Sequence, residues 1–139
     1  MKSIVIKADQ LRKFCEETFQ TLGFSKEDSV IISDVILLSD LFGIDSHGIN
    51  RLKMYIQQLH SGYIDIRSQP EIVFQTPVSA VIDGKKGMGQ LVSRFAMNFA
   101  IEKAKISGVA MVTVRNSNHY GIAGYYSLID RKSTRLNSS

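Results

Sequence analysis

A histidine at the end of a predicted strand is the residue of this chain best suited to proton transfer. His119 follows a run of mostly apolar residues, 109–114, that predicts a buried strand, and Gly121 lets backbone approach closely beside it. Histidine changes its charge near neutral pH, so it often takes and returns protons in catalysis. A lone loop histidine is more often structural than catalytic, so this interpretation needs a second group of suitable residues.

Such a group is predicted on one face of a helix over about residues 46–59. His47, Arg51 and Tyr55 recur every four residues, which places them on one side of the helix. The apolar stripe on the other side comprises Ile49, Leu52, Ile56 and Leu59. A solvated face usually carries pairs of Glu and Lys, whereas this face has no acid. Because a guanidinium holds a carboxylate through two parallel hydrogen bonds, the face predicts an anion-binding surface.

The two groups together favour hydride transfer on a small carboxylate. Arg51 would hold the carboxylate. His119 would take the proton from a hydroxyl as hydride leaves the same carbon, or return it to a carbonyl. No side chain accepts a hydride, so the hypothesis implies a nicotinamide cofactor.

Neither a common dinucleotide-binding motif nor a metal site is predicted. Gly87 and Gly89 lie between a predicted strand and a predicted helix, but Val92 stands where the motif requires a third glycine. A tight turn explains these glycines about as well. The three histidines lack the spacing of metal ligands, and no carboxylates cluster near them.

Composition is typical of one water-soluble domain. The chain has 139 residues, of which 44% are hydrophobic and 22% charged. Its single cysteine, Cys15, excludes a disulfide framework and fits a reducing compartment, so we expect a cytoplasmic protein. The net charge of +4 includes three basic residues among the last nine positions, and without them the charges nearly balance. We therefore expect neither a nucleic-acid partner nor a membrane-spanning segment.

The apolar pattern predicts an α+β fold, with an N-terminal helical part over residues 1–69 followed by the start of a mixed α/β part over residues 70–130. Helices are expected over about 9–22, 25–42, 46–59 and 90–107. Strands are expected at 72–74, 80–82 and 109–114. The last two strands and the helix between them form a predicted β-loop-α-β unit in a mixed sheet. Residues 131–139 lose the apolar periodicity and are predicted to be an unstructured tail of foreign origin.

Three segments of the chain resemble the N-terminal part of the type 2 malate/L-lactate dehydrogenase family. They are residues 43–51 with Tyr55 and Gly62, residues 83–90, and residues 118–124. The resemblance covers roughly residues 6–129, and it implies an incomplete form of that family's own fold, which binds NAD or NADP differently from Rossmann dehydrogenases. The family's chains continue well beyond this length, so we expect a fragment that is inactive alone.

The resemblance also implies roles for individual residues. His119 matches the acid–base histidine of the family, and His47 is a second catalytic candidate that also contacts the nicotinamide. Arg51, Tyr55 and Ser46 match the substrate pocket, and Gly121 is a candidate for cofactor binding. The implied protein is a homodimer that uses NAD or NADP to oxidise a 2-hydroxy acid or reduce a 2-keto acid.

Two alternatives remain open at this point. The same arginine and histidine could serve an NAD(P)H-dependent reductase of cyclic imine carboxylates. A non-catalytic dimerising module would keep the helices and would need neither Arg51 nor His119.

Overall fold

A computed structural model of the protein describes residues 5–136, with side chains for residues 5–131. The helices are α1 (Ala8–Thr21), α2 (Lys26–Leu41), α3 (Leu52–His60), α4 (Gly89–Ser107) and α5 (Ala123–Leu136). The strands are β1 (Glu71–Gln75), β2 (Ser79–Asp83) and β3 (Met111–Arg115). The predicted α+β class is confirmed, with helices before β1 and a mixed sheet after it.

The second helix begins and ends as its sequence predicts. The hydroxyl oxygen of Ser25 accepts a hydrogen bond of 3.0 Å from the backbone N–H of Asp28, which caps the start of α2. Past its end, Gly43 has a φ of +72°, a conformation that glycine adopts without steric cost.

The predicted continuous helix over 46–59 was wrong. The chain forms two short 3₁₀ turns, Asp45–His47 and Ile49–Arg51, before α3 begins. The cause lies in α2, where the carboxylate of Asp40 accepts a hydrogen bond of 2.8 Å from the backbone N–H of Ile49. In a continuous helix the N–H of Ile49 would instead bond to a backbone carbonyl four residues earlier. Because Asp40 accepts this hydrogen bond, the helix is interrupted and the backbone bends at Gly48.

The break also changes where the predicted polar face lies. His47 precedes the break and is half-buried, whereas Tyr55 lies on α3 with none of its surface exposed. His47, Arg51 and Tyr55 therefore do not lie on one continuous helix, although their side chains still meet around His119.

The sheet has the order β1-β2-β3, and its two pairings differ in direction. Strand β1 pairs with β2 antiparallel, and β2 pairs with β3 parallel, with Asp83 opposite Arg115 at the end of the register. The β2–α4–β3 segment is thus the predicted β-loop-α-β unit. The burial of the last strand was predicted wrongly, because Met111 is 67% exposed and the preceding Val109 is 65% exposed. Strand β3 lies at the edge of the sheet, which explains this exposure.

One hydrophobic core joins the helical part to the start of the mixed part. Cys15 and Phe19 of α1, Ile36 of α2 and Tyr55 of α3 pack in one cluster with Met88, which lies just before α4. Cys15 is fully buried, as its position on the apolar stripe predicts. The two parts consequently form one packed unit.

The end of the chain differs from its prediction. Helix α5 runs to Leu136, so the backbone of residues 131–136 is helical where unstructured chain was expected. Arg, Lys and Leu are good helix formers, and extending an existing helix requires no new nucleation. Residues 137–139 lie outside the described range. Within that range no helix has the length and hydropathy needed to cross a membrane.

Candidate active site

His119 lies in the connection between β3 and α5, and the glycine-containing segment before α4 holds it in place. The side-chain amide of Asn118 donates hydrogen bonds to the backbone carbonyls of Lys86, at 3.0 Å, and Gly87, at 2.9 Å. Gly89, the first residue of α4, packs directly on the carbonyl oxygens of Asn118 and His119, leaving no room for a side chain. The glycines of this segment therefore have a clear structural role in positioning His119.

A hydrogen bond links His119 to the buried tyrosine of α3. The hydroxyl of Tyr55 lies 2.7 Å from Nδ1 of His119, and the backbone N–H of Gly121 donates to the same nitrogen over 3.4 Å. Because a backbone N–H can only donate, this contact favours the neutral imidazole that carries its proton on Nε2. With Nδ1 facing Tyr55, Nε2 is the nitrogen left for a substrate.

The surroundings of the pair keep both groups uncharged near neutral pH. Burial lowers the pKa of His119 below its ordinary value, and electrostatic interaction with Arg51 and with His47 lowers that pKa further. Burial raises the pKa of Tyr55 to about 12. A neutral imidazole can accept a proton, so the pKa of His119 suits a base.

His47 and Arg51 lie beside this pair and are linked through Ser46. The rings of His47 and His119 have centroids 5.3 Å apart and planes inclined by 33°. The hydroxyl of Ser46 lies 2.8 Å from Nδ1 of His47, and Nε of Arg51 donates to the backbone carbonyl of Ser46 over 2.6 Å. Nη1 of Arg51 makes a weak contact of 3.8 Å with the sulfur of Met54, and Arg51 forms no salt bridge among the described residues, so its guanidinium has no carboxylate partner.

The structure brings all the predicted site residues together, although by a different local path. Ser46, His47 and Arg51 come from the 3₁₀ turns and Tyr55 from α3. Gly121 has a φ of +78° and packs on Val35, so backbone and packing requirements explain why it is glycine. Its expected role in cofactor binding remains a proposal. No group of three or more His, Cys, Asp or Glu residues in the described part of the chain could hold a metal ion.

Sequence reasoning missed Gln90 and Asp40. Gln90 lies in the first turn of α4 with none of its surface exposed, and Asp40 fixes the bend that places His47. The role of Gln90 could have been suspected, because it is the one polar side chain in the apolar and glycine-rich stretch 87–92. Nothing in the sequence pairs Asp40 with Ile49.

The lowered pKa of His119 predicts that acid destabilises the fold. Above about pH 6.5 the imidazole is neutral in both folded and unfolded chains, and its stabilising contribution is fully present. The contribution is lost as the pH falls from that value through the lower pKa of the folded state. Urea unfolding between about pH 8 and pH 5 should show this loss. A His119→Gln variant should lose less stability over the same interval, and equal losses would contradict the expectation.

Comparison with known proteins shows which family this chain resembles over most of its length. A family profile described as malate/L-lactate dehydrogenase matches residues 6–129. The malate dehydrogenase of Pyrococcus abyssi is 45% identical over 89% of this chain, and the L-sulfolactate dehydrogenase of Methanocaldococcus jannaschii is 44% identical over 89%. The aligned segments are 34% and 36% of those two proteins, so the chain spans about a third of their length.

Solved structures show the same likeness. The malate dehydrogenase of Pyrococcus horikoshii OT3 superposes with a TM-score of 0.88 at 41% identity, over 91% of this chain and 36% of its own. The delta1-piperideine-2-carboxylate reductase of Pseudomonas syringae superposes with a TM-score of 0.75 at 26% identity, over 86% of this chain and 36% of its own. Sequence and fold agree over the segments that contain the site, and the chain belongs to the malate/L-lactate dehydrogenase family.

Proposed function

We propose that this chain supplies the proton-transfer and carboxylate-binding residues of an NAD(P)-dependent dehydrogenase of small 2-hydroxy acids. The observation that carries the proposal is the hydrogen-bonded pair of Tyr55 and His119 beside an arginine that has no carboxylate partner among the described residues. Malate and sulfolactate, named in the descriptions of two relatives, are both 2-hydroxy acids with a second anionic group. A site with a guanidinium that lacks a carboxylate partner and with a neutral imidazole suits such molecules.

Each side chain has a distinct task in this reaction. Arg51 holds the substrate carboxylate, which directs the hydroxyl-bearing carbon towards His119. In oxidation Nε2 of His119 takes the hydroxyl proton while the neutral ring holds its own proton on Nδ1, and in reduction Nε2 returns that proton. The bound nicotinamide supplies the hydride acceptor, which no side chain can be.

The residues present fit one part of a nicotinamide site. The imidazole of His47 is half-buried beside His119, and the backbone N–H of Gly121 points at Nδ1 of His119. These two residues would flank the nicotinamide ring. NAD and NADP are both compatible with them, because the two cofactors have the same nicotinamide. By resemblance to the family, we further propose a homodimer in the cytoplasm, where the buried thiol of Cys15 stays reduced.

The proposal can be tested in a fusion enzyme. Residues 6–129 of this chain would replace the matched segment of the Pyrococcus horikoshii malate dehydrogenase, whose structure it superposes on closely. The fusion should oxidise at least one member of a panel of 2-hydroxy acids with NAD or NADP. A folded fusion that turns over no hydroxy acid would contradict the proposal.

The role of Arg51 gives a sharper result in the same fusion. Arg51→Lys should raise KM for the hydroxy acid by about tenfold or more, because an ammonium cannot form the two parallel hydrogen bonds of a guanidinium. The exposed Arg67 provides a matched control, and Arg67→Lys should leave KM unchanged. An unchanged KM in Arg51→Lys would show that the carboxylate binds elsewhere.

A reductase of cyclic imine carboxylates is a second candidate. The likeness to the piperideine-carboxylate reductase favours it, and the same arginine and histidine could bind and protonate an imine carboxylate. The fusion should therefore also be assayed for reduction of a cyclic imine carboxylate. Activity there without activity on hydroxy acids would replace the first proposal with the second.

A further inference from the structure

Gln90 is a buried amide whose hydrogen-bonding groups have no partner. None of its surface is exposed, and neither its side-chain oxygen nor its side-chain nitrogen forms a hydrogen bond to the described part of the chain. Burying an unpaired polar group destabilises a fold, so such a residue calls for a functional explanation.

The amide lies next to the hydroxyl of Tyr55. It approaches closely enough to lower the pKa of that hydroxyl and so oppose part of the rise caused by burial. Neither amide atom forms a hydrogen bond with the described residues, so both remain able to pair with that hydroxyl. Such pairing would give one chain of hydrogen bonds from Gln90 through Tyr55 to His119.

Such a chain can be oriented in two directions. When His119 carries its proton on Nε2, the Tyr55 hydroxyl donates its proton to Nδ1. The tyrosine oxygen can then act only as an acceptor, and an N–H of Gln90 can be its donor. When His119 carries its proton on Nδ1, that proton is donated to Tyr55, and the tyrosine hydroxyl needs an acceptor. The side-chain oxygen of Gln90 can be that acceptor.

The second direction is the one that a base requires. Nε2 can take a proton from a substrate only while the proton of the neutral ring is on Nδ1. The backbone N–H of Gly121 opposes this form, because it also points at Nδ1. Some other group must therefore stabilise the reversed chain of hydrogen bonds.

We infer that Gln90 is a positioning residue that sets, through Tyr55, which nitrogen of His119 carries the proton. Its amide offers both donors and an acceptor, so it can pair with Tyr55 in either direction. An apolar residue of similar length would support neither. The inference deepens the proposed function and rests on it only in treating His119 as the group that transfers the proton.

The test is nitrogen-15 NMR of the 139-residue chain, which reports the protonated nitrogen and the titration of His119 without any turnover. The charged groups facing this ring are Arg51 and His47, and both stay unchanged in the variants. Gln90→Glu introduces an acceptor, so neutral His119 should shift towards the form with the proton on Nδ1, and its pKa should rise by about one unit. The wild type should show both neutral forms of His119, whereas Gln90→Met removes the acceptor, so the fraction with the proton on Nδ1 should disappear.

If Gln90 positions the proton, the two variants should change the tautomer of His119 in opposite directions. If its role is purely structural, both variants should change the tautomer in the same way. Gln90→Met should also be compared in a Tyr55→Phe background, where the link is absent and the substitution should leave the His119 spectrum unchanged. This comparison decides the question even if Gln90→Glu fails to fold. Identical His119 tautomers in the wild type and Gln90→Met would overturn the inference, while leaving the hydroxy-acid assay of the fusion enzyme to judge the proposed function.

Discussion

His119→Ala in the fusion enzyme should lower kcat for hydroxy-acid oxidation by about 10² to 10⁴, the usual effect of removing a positioned acid–base group. The loss should fall on kcat more than on KM, because Arg51 still binds the carboxylate. The acidic limb of the pH–rate profile should also disappear, since that limb reports protonation of the base. Steady-state rates across pH, with a hydroxy acid and either NAD or NADP, measure all three effects.

His60 provides a matched control for this substitution. It is an exposed histidine at the end of α3, five residues beyond Tyr55, and His60→Ala should leave kcat within about twofold of the parent. A near-normal kcat with an unchanged pH profile in His119→Ala would exclude His119 as the base. His47, whose ring lies beside that of His119, would then be the next candidate.

Gly89→Ala should cause the largest loss of stability among single-methyl substitutions at the site. A methyl group there would overlap the backbone carbonyl oxygens of Asn118 and His119, which cannot rotate away as a flexible side chain could. Overpacking of this kind typically costs about 1–3 kcal/mol. Urea unfolding should show the loss, and displacement of the His119 backbone should weaken the contact with Tyr55.

Gly124→Ala is the matched control. Gly124 is exposed in the first turn of α5, and nothing lies within 4 Å of the position that a methyl group would occupy. Alanine favours helix over glycine by roughly 1 kcal/mol or less, so this variant should be as stable as the parent or slightly more so. Equal stability of Gly89→Ala and Gly124→Ala would mean that the close approach at Gly89 relaxes without cost.

Local signals in the sequence predicted most of the fold. The Ser25 cap, the glycines that end α2 and α4, and the apolar periodicity predicted α1, α2 and α4 to within a few residues. These features depend on residues that are neighbours in sequence, so their physical effect can be inferred from spacing alone.

The errors came from contacts between distant residues. The bend at Gly48 depends on Asp40, and the hydrogen bond of Tyr55 joins it to a residue 64 positions away. The periodicity grouped Tyr55 with His47 and Arg51, but it cannot show which other segment that side of a helix meets. The types of the site residues were therefore predictable, while the arrangement that makes them work depended on tertiary packing.

Tyr55 is a member of the hydrophobic core as well as the hydrogen-bond partner of His119. Because one residue has both tasks, the geometry of the site depends on the folding of the whole core. The tyrosine ring cannot move without opening the packing of α1, α2 and α3. Mutational drift in that packing would then alter proton affinity at His119 even when no site residue changes. Directed evolution for thermostability would be restricted in the same way. A core substitution around α3 that raised stability would be lost if it also changed the proton affinity of His119.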